Sequence, residues 1–345
     1  YNVTEGSYST DPYNGEVRMR EFKEMVKGLN ENGIRVVLDV VYNHTSKSSD
    51  SHLNRIVPGY YYRMNLDGGF SNGSGCGNEL ADERSMVRKM IIDSVTHWAK
   101  EYKVDGFRFD LMGLHHIDTM NAVRKALDEI DPSILIYGEG WTAGATPLRS
   151  IHSSLKVNAR KIPGIAVFSD DIRDGIKGHV FNDQEPGFIN GQAGMEESIK
   201  FGIAASTDHK QVKYRQVNYS SGPWALEPSQ TITYAEAHDN LTLWDKLQAT
   251  SLGESEEERL KMHKMASAIV FTSQGIPFIH AGQELVRTKF GDSNSYKSPD
   301  AINQIDWSRK VKYAHVFAYN QGLIALRKAH PAFRMPTTKQ IQNHL

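Results

Sequence analysis

The feature that most constrains this 345-residue chain is an alternation of short, β-branched apolar runs with stretches of helical periodicity. Ile34-Arg35-Val36-Val37-Leu38-Asp39-Val40-Val41 reads as a buried strand. Ahead of it, Phe22, Met25, Val26 and Leu29 fall at i, i+3, i+4 and i+7, one face of a helix, and Gly33 is placed to end that helix. Val87, Met90, Ile91, Val95 and Trp98 mark a second helix, and Val104 to Asp110 the next strand. Met120, Val123, Leu127 and Ile130 give a helix stopped by Asp131-Pro132, and Ile134 to Tyr137 a strand. Further strands are read at Ala166 to Phe168, Thr231 to Ala235 and Ile276 to Ile279. Two more helices carry Met262, Met265, Ala266 and Ile269, and Phe317, Ile324 and Arg327. The Gly- and Ser-rich polar stretch before Thr231 has no order that periodicity can read.

Strands alternating with helices imply an α/β fold with a parallel sheet, because each crossover returns the chain to the same edge. No Gly-rich phosphate fingerprint follows the first strand, which counts against a dinucleotide-binding doubly wound sheet. Polar residues instead cluster just after several different strands, where a (β/α)8 TIM barrel builds its active site. About six βα units are legible, two short of a closed barrel.

Lys plus Arg total 40 and Asp plus Glu 41, for a formal net charge of −1. No basic excess exists to recruit nucleic acid or an anionic membrane. No apolar run reaches the roughly 18 residues of a membrane span. The single cysteine, Cys76, allows no internal disulfide, and without a paired base it reads as a buried small residue. The chain opens on Tyr1, so the native N-terminus is expected upstream and the compartment stays open: secreted, cell-surface or cytoplasmic.

Chemistry concentrates at the strand ends. These carry Asp39 and Asn43-His44, then Arg108 and Asp110, then Glu139-Gly140-Trp141, then Glu236-Ala237-His238-Asp239-Asn240. Three carboxylates, two imidazoles and a guanidinium in one pocket are costly, since like charges repel and burial removes hydration. Glycoside hydrolysis needs such a set: one carboxylate attacks the anomeric carbon and a protonated one serves the leaving oxygen. A third anion can stabilise the oxocarbenium-like centre. Arg108 lies two residues before Asp110 on one strand, faces the same side, and is expected to keep Asp110 ionised. Neighbouring anions are expected to leave a proton on Glu139. Two rivals stand beside this reading. A magnesium-dependent barrel also places acids on successive strands, but the histidines and Arg108 would crowd a dication with positive charge. A binding-only barrel would be marked by a lost carboxylate, and none is missing.

At these residues the chain resembles the α-amylase family of glycoside hydrolases. Its four motifs appear in order: Asp39-Val40-Val41-Tyr42-Asn43-His44, Gly106-Phe107-Arg108-Phe109-Asp110, Tyr137-Gly138-Glu139-Gly140-Trp141 and Ala237-His238-Asp239-Asn240. The resemblance implies Asp110 as nucleophile, Glu139 as general acid/base and Asp239 as transition-state stabiliser. It implies a sugar subsite held by His44, Arg108 and His238 with Asp39 and Leu111, and Trp141 as a stacking surface. Asn294 and Tyr296, within Asp292 to Tyr296, would line the non-reducing side.

Within that family the chain is most similar to type I pullulanases, which cleave α-1,6 linkages. The similarity rests on Tyr1 to Ser9, Val57 to Arg63, Asn72 to Glu79, Leu111-Met112-Gly113 and Ser298 to Trp307. It implies a monomer acting on pullulan and branched α-glucans in a bacterial setting, with no required cofactor. A structural calcium at Asn43 is left open, since in many α-amylases the matching Asn binds one. The expectation for residues 1–345 is therefore a single, incomplete barrel domain whose first two strands lie outside the chain. Carbohydrate-binding domains before it and a β-sandwich after it would also lie outside. On that expectation the isolated segment is inactive or nearly so. Isoamylase-like cleavage, an α-1,4-specific amylase or neopullulanase, and a non-catalytic glucan-binding barrel are the alternatives.

Overall fold

A computed structural model describes residues 1–345, which divide into two compact units, Tyr1–Val167 and Phe168–Leu345. The first opens with α1, Gly15–Glu31, capped by Asn14 Oδ1 accepting from the Glu16 N–H. It ends where the periodicity placed its end, with Gly33 in the left-handed region at φ 73°. Three parallel strands follow: β1, Val37–Val40; β2, Gly106–Phe109; and β3, Leu135–Gly138. Helix α2, Ser85–Glu101, separates β1 from β2, and α3, Ile117–Asp128, separates β2 from β3. α2 buries Val87, Ile91, Val95 and Trp98 of the stripe read from the sequence, and leaves its fifth member, Met90, half-buried. Complete burial of one such aliphatic side chain contributes about 1.5–3 kcal/mol. β4, Ala166–Phe168, pairs with β3 through Ala166 and Val167.

Two expectations are corrected here. The run 34–41 is not a buried strand throughout. Only Val37–Val40 is strand, it pairs with β2, and Ile34 and Val41 are exposed. A β-branched run reports strand propensity, not whether both of its sides are covered. Cys76 is exposed rather than buried. It sits between Gly75 and Gly77, both at positive φ, in a tight loop where its N–H donates to Ser74 Oγ at 3.0 Å.

In the second unit α4, Asp170–Lys177, and α5, Glu196–Ile203, occupy part of the polar stretch that periodicity could not order. β5, Thr231–Thr233, pairs in parallel with β6, Ile276–Pro277. Between them lie α6, Leu243–Thr250, and α7, Glu256–Thr272. α8, Ala314–Ala329, and α9, Thr338–His344, close the chain. The core joins Ile172 and Ile176 of α4 to Ile199 of α5, Leu243 and Leu247 of α6, and Ala266 and Val270 of α7. Phe168 packs edge-to-face against Phe278, with ring centroids 5.3 Å apart. The fold is α/β with parallel strands, consistent with an incomplete (β/α)8 barrel. No helix is long and apolar enough to cross a membrane.

Candidate active site

Parallel register assembles the site in the first unit. Asp39 on β1 stands opposite Arg108 on β2, and Arg108 stands opposite Tyr137 on β3. The ladder runs past the strand ends: Asp110 N–H donates to Val40 O at 3.0 Å and Glu139 N–H to Phe109 O at 3.1 Å. Backbone pairing therefore carries Asp110 and Glu139 to neighbouring positions at the C-terminal edge of the sheet.

The Arg108 guanidinium joins three carboxylates. Its Nη1 meets Asp39 Oδ1 at 2.8 Å and Asp110 Oδ1 at 3.0 Å, and its Nη2 meets Glu139 Oε1 at 2.5 Å. Burial works against the charge on Arg108. Glu139, Asp39 and Asp110 outweigh that, and hold the guanidinium above its usual range. The other Glu139 oxygen, Oε2, accepts the Leu111 N–H at 2.8 Å. Leu111 can aim that N–H because it sits in the left-handed region at φ 40°, uncommon for a branched side chain and a mark of backbone strain held by its surroundings. Two hydrogen-bond donors, the Arg108 guanidinium and the Leu111 N–H, thus fix the orientation of the Glu139 carboxyl.

The turn after Leu111 is fixed by close approach. A Cβ on Gly113 would lie 2.4 Å from Trp141 O, so only glycine lets the turn meet the backbone of Trp141. Gly113 N–H donates to Glu139 O at 2.9 Å, tying the turn to the strand end it faces.

Asn43, fully buried, donates from Nδ2 to Asp110 O at 2.8 Å and to Asp110 Oδ2 at 2.9 Å. Its Oδ1 is then the acceptor facing His44 Nδ1 at 2.6 Å. A neutral His44 must therefore carry its proton on Nδ1 and offer Nε2 as an acceptor. Burial lowers the His44 pKa, and Asp110 acts in the opposite direction. This use of Asn43 does not fit a calcium ligand: its oxygen is engaged by an imidazole and its amide faces the Asp110 carboxylate. No group of three or more His, Cys, Asp or Glu side chains comes together in a metal-holding arrangement.

The remaining candidates lie in the second unit. His238 Nε2 is 3.6 Å from Asp239 Oδ1, and both side chains are more than half exposed. Asn294 donates its N–H to Asp292 Oδ1 at 2.9 Å. Tyr296 is exposed, with Lys297 Nζ 5.4 Å from its ring centroid. The first unit thus unites Asp39, His44, Arg108, Asp110, Leu111 and Glu139, with Trp141 half-buried beside them, and the second carries His238, Asp239, Asn294 and Tyr296.

Sequence reasoning missed the role of Asn43 toward Asp110, and it missed Lys289, which donates to His238 O at 2.8 Å. Adjacency to His44 was a signal for the first. Nothing in the sequence separates a buried lysine from a surface one.

No family model matches the chain. The pullulanase of Bacillus subtilis (strain 168) is 43% identical over 341 residues, 99% of this chain and 46% of that protein. The solved pullulanase of Paenibacillus barengoltzii, in complex with maltohexaose and α-cyclodextrin, superposes with a TM-score of 0.92 at 49% identity, covering 98% of this chain and 51% of that one. The type I pullulanase of B. subtilis strain 168, complexed with maltose, gives 0.93 at 42% identity, over 99% of this chain and 48% of that one. The chain spans about half the length of these relatives. Over essentially all of its own length, the chain is homologous to the type I pullulanases.

Proposed function

We propose that residues 1–345 form one catalytic barrel domain of a retaining α-glycoside hydrolase that cleaves α-1,6-glucosidic linkages in pullulan and branched α-glucans. The observation that carries this reading is the single guanidinium of Arg108 contacting both Asp110 and Glu139. One bridging side chain supports the short carboxylate spacing of retaining enzymes, about 5–5.5 Å, over the roughly 6.5–9.5 Å that inversion needs. Homology to enzymes crystallised with malto-oligosaccharides supports an α-glucan as substrate.

In the proposed reaction Asp110 attacks the anomeric carbon while Glu139 protonates the departing glycosidic oxygen. The C–O bond to the leaving chain breaks and a glycosyl ester forms on Asp110. Glu139 then takes a proton from water, which hydrolyses the ester and returns both carboxyls to their starting states. Asn43 orients Asp110 by two hydrogen bonds from one amide. His44 Nε2 is free to accept from a sugar hydroxyl, and Asp239 is assigned the stabilisation of positive charge at the anomeric centre.

The test is the product profile of the complete protein on pullulan. Maltotriose is expected. Panose would move the assignment to α-1,4 cleavage, and tight glucan binding without product would make this a binding barrel. Glu139→Gln should lower kcat by about 10²–10⁴-fold, the usual contribution of a general acid.

A further inference from the structure

Charged, buried side chains of the second unit close on the backbone of the segment that carries His238 and Asp239. Glu236, 1% exposed, accepts the Leu243 N–H on Oε2 at 2.6 Å. Lys177, 2% exposed, donates to Leu241 O at 3.2 Å. Between these anchors Asn240 turns the chain in the left-handed region at φ 62°. The third anchor, Lys289, reaches the residue beside Asp239 itself: its Nζ donates to His238 O at 2.8 Å.

The Lys289 ammonium also reaches a second segment. The same Nζ donates to Ser295 Oγ at 2.7 Å, and Ser295 lies between Asn294 and Tyr296. Its base is fixed as well. Asp245, in the first turn of α6, takes the Lys289 N–H on Oδ2 at 2.7 Å and accepts the Thr288 hydroxyl on its other oxygen. Lys289 is 4% exposed, and both acceptors named for its ammonium are neutral oxygens. Burial and Arg287 work against its charge, and the carboxylates of Asp239, Glu236 and Asp292 offset them only in part, so shielding this ammonium is an expensive way to gain stability and the geometry it enforces is the better reason for it.

We propose that Lys289 is a positioning residue: its ammonium cross-links the His238–Asp239 segment to the Asn294–Tyr296 turn, so that a glucan resting on the turn is held in fixed register with the Asp239 carboxylate. The inference rests on the glycoside hydrolase reading above. A misplacement near 1 Å is enough to lose about 10²-fold in rate, and Lys289 is the side chain that sets this spacing from within the second unit.

The experiment compares the complete protein with its Lys289→Met and Ser295→Ala variants. It measures kcat and KM on pullulan, melting temperature, and affinity for maltotriose and for a charged oxocarbenium-mimicking inhibitor. Lys289→Met is expected to lower kcat at least 30-fold (roughly the scale of that misplacement) and to weaken inhibitor binding in proportion to kcat/KM. Maltotriose affinity should change by only about threefold, because ground-state binding does not depend on the Asp239 register. Ser295→Ala removes one end of the link and leaves the ammonium in place, so a kcat reduced roughly three- to tenfold with an unchanged melting temperature is expected even if the lysine variant does not fold. Wild-type turnover with either variant's kcat unchanged overturns the inference alone. So does equal loss of inhibitor and maltotriose affinity, which marks a merely structural lysine. A wild-type protein that releases no product overturns the functional reading and this inference with it.

Discussion

At the scale of single residues, Arg108 organises the candidate site. A planar fork with two separate nitrogens reaches Asp39 and Asp110 from one and Glu139 from the other. Arg108→Met leaves three carboxylates facing one another without a cation, and breaking such a pair costs about 3–5 kcal/mol where it is buried. Activity on pullulan is expected to fall by on the order of 10³-fold. Arg108→Lys should recover little of it, because one compact ammonium cannot bridge the same three groups. Steady-state kinetics of both variants check this, and a lysine variant with near wild-type kcat/KM would refute it. Asp39, Arg108, Asp110 and Glu139 were legible in the sequence because a charged residue at the end of an apolar strand has few structural reasons to be there. Asn43 was legible only as a neighbour of His44. Its two hydrogen bonds to Asp110 depend on where β1 lies against β2, which no local pattern encodes.

At the scale of elements, the long helices α1, α2, α3, α7 and α8 were legible and the short ones α4, α5, α6 and α9 were not. Seven or eight residues make about two turns, too few for a periodic stripe to stand out. One cap signal was present all the same. Thr242-Leu243-Trp244-Asp245 has the form that opens a helix, and Thr242 Oγ1 does accept the Asp245 N–H at 3.1 Å. Helix α7 also carries an acid-sensitive point. His263 is fully buried against Trp244, neither ring nitrogen has a hydrogen-bond partner, and burial lowers its pKa to about 4. As pH falls from about 6.5 the unfolded imidazole takes up a proton that the native one refuses until about pH 4, so native stability is lost across that window. At about 1.4 kcal/mol per pH unit the loss is on the order of 3 kcal/mol. Between pH 7 and 4.5 the melting temperature of the wild-type protein should drop several degrees further than that of His263→Leu. Parallel pH profiles for the two would show that His263 is not the group responsible.

At the scale of the whole molecule, β1 is the informative edge. Asp39, one of the three carboxylates on Arg108, is on this strand, which pairs with β2 and is flanked by exposed Ile34 and Val41. A strand with unpaired backbone groups is poorly held. The matched relatives are about twice as long as this chain. The sequence by itself determined the α/β class, the order of the strands and the identity of the charged residues at their ends, because apolar periodicity and strand-end chemistry are local properties. Tertiary structure alone decided that one guanidinium serves three carboxylates, that Leu111 takes a strained turn to reach Glu139, and that a buried lysine joins the His238–Asp239 segment to the Asn294–Tyr296 turn. The contacts that close these arrangements, Arg108 to Asp39, Leu111 to Glu139 and Lys289 to His238, cross tens of residues of chain, and their geometry is set by strand register and packing rather than by any neighbour in sequence.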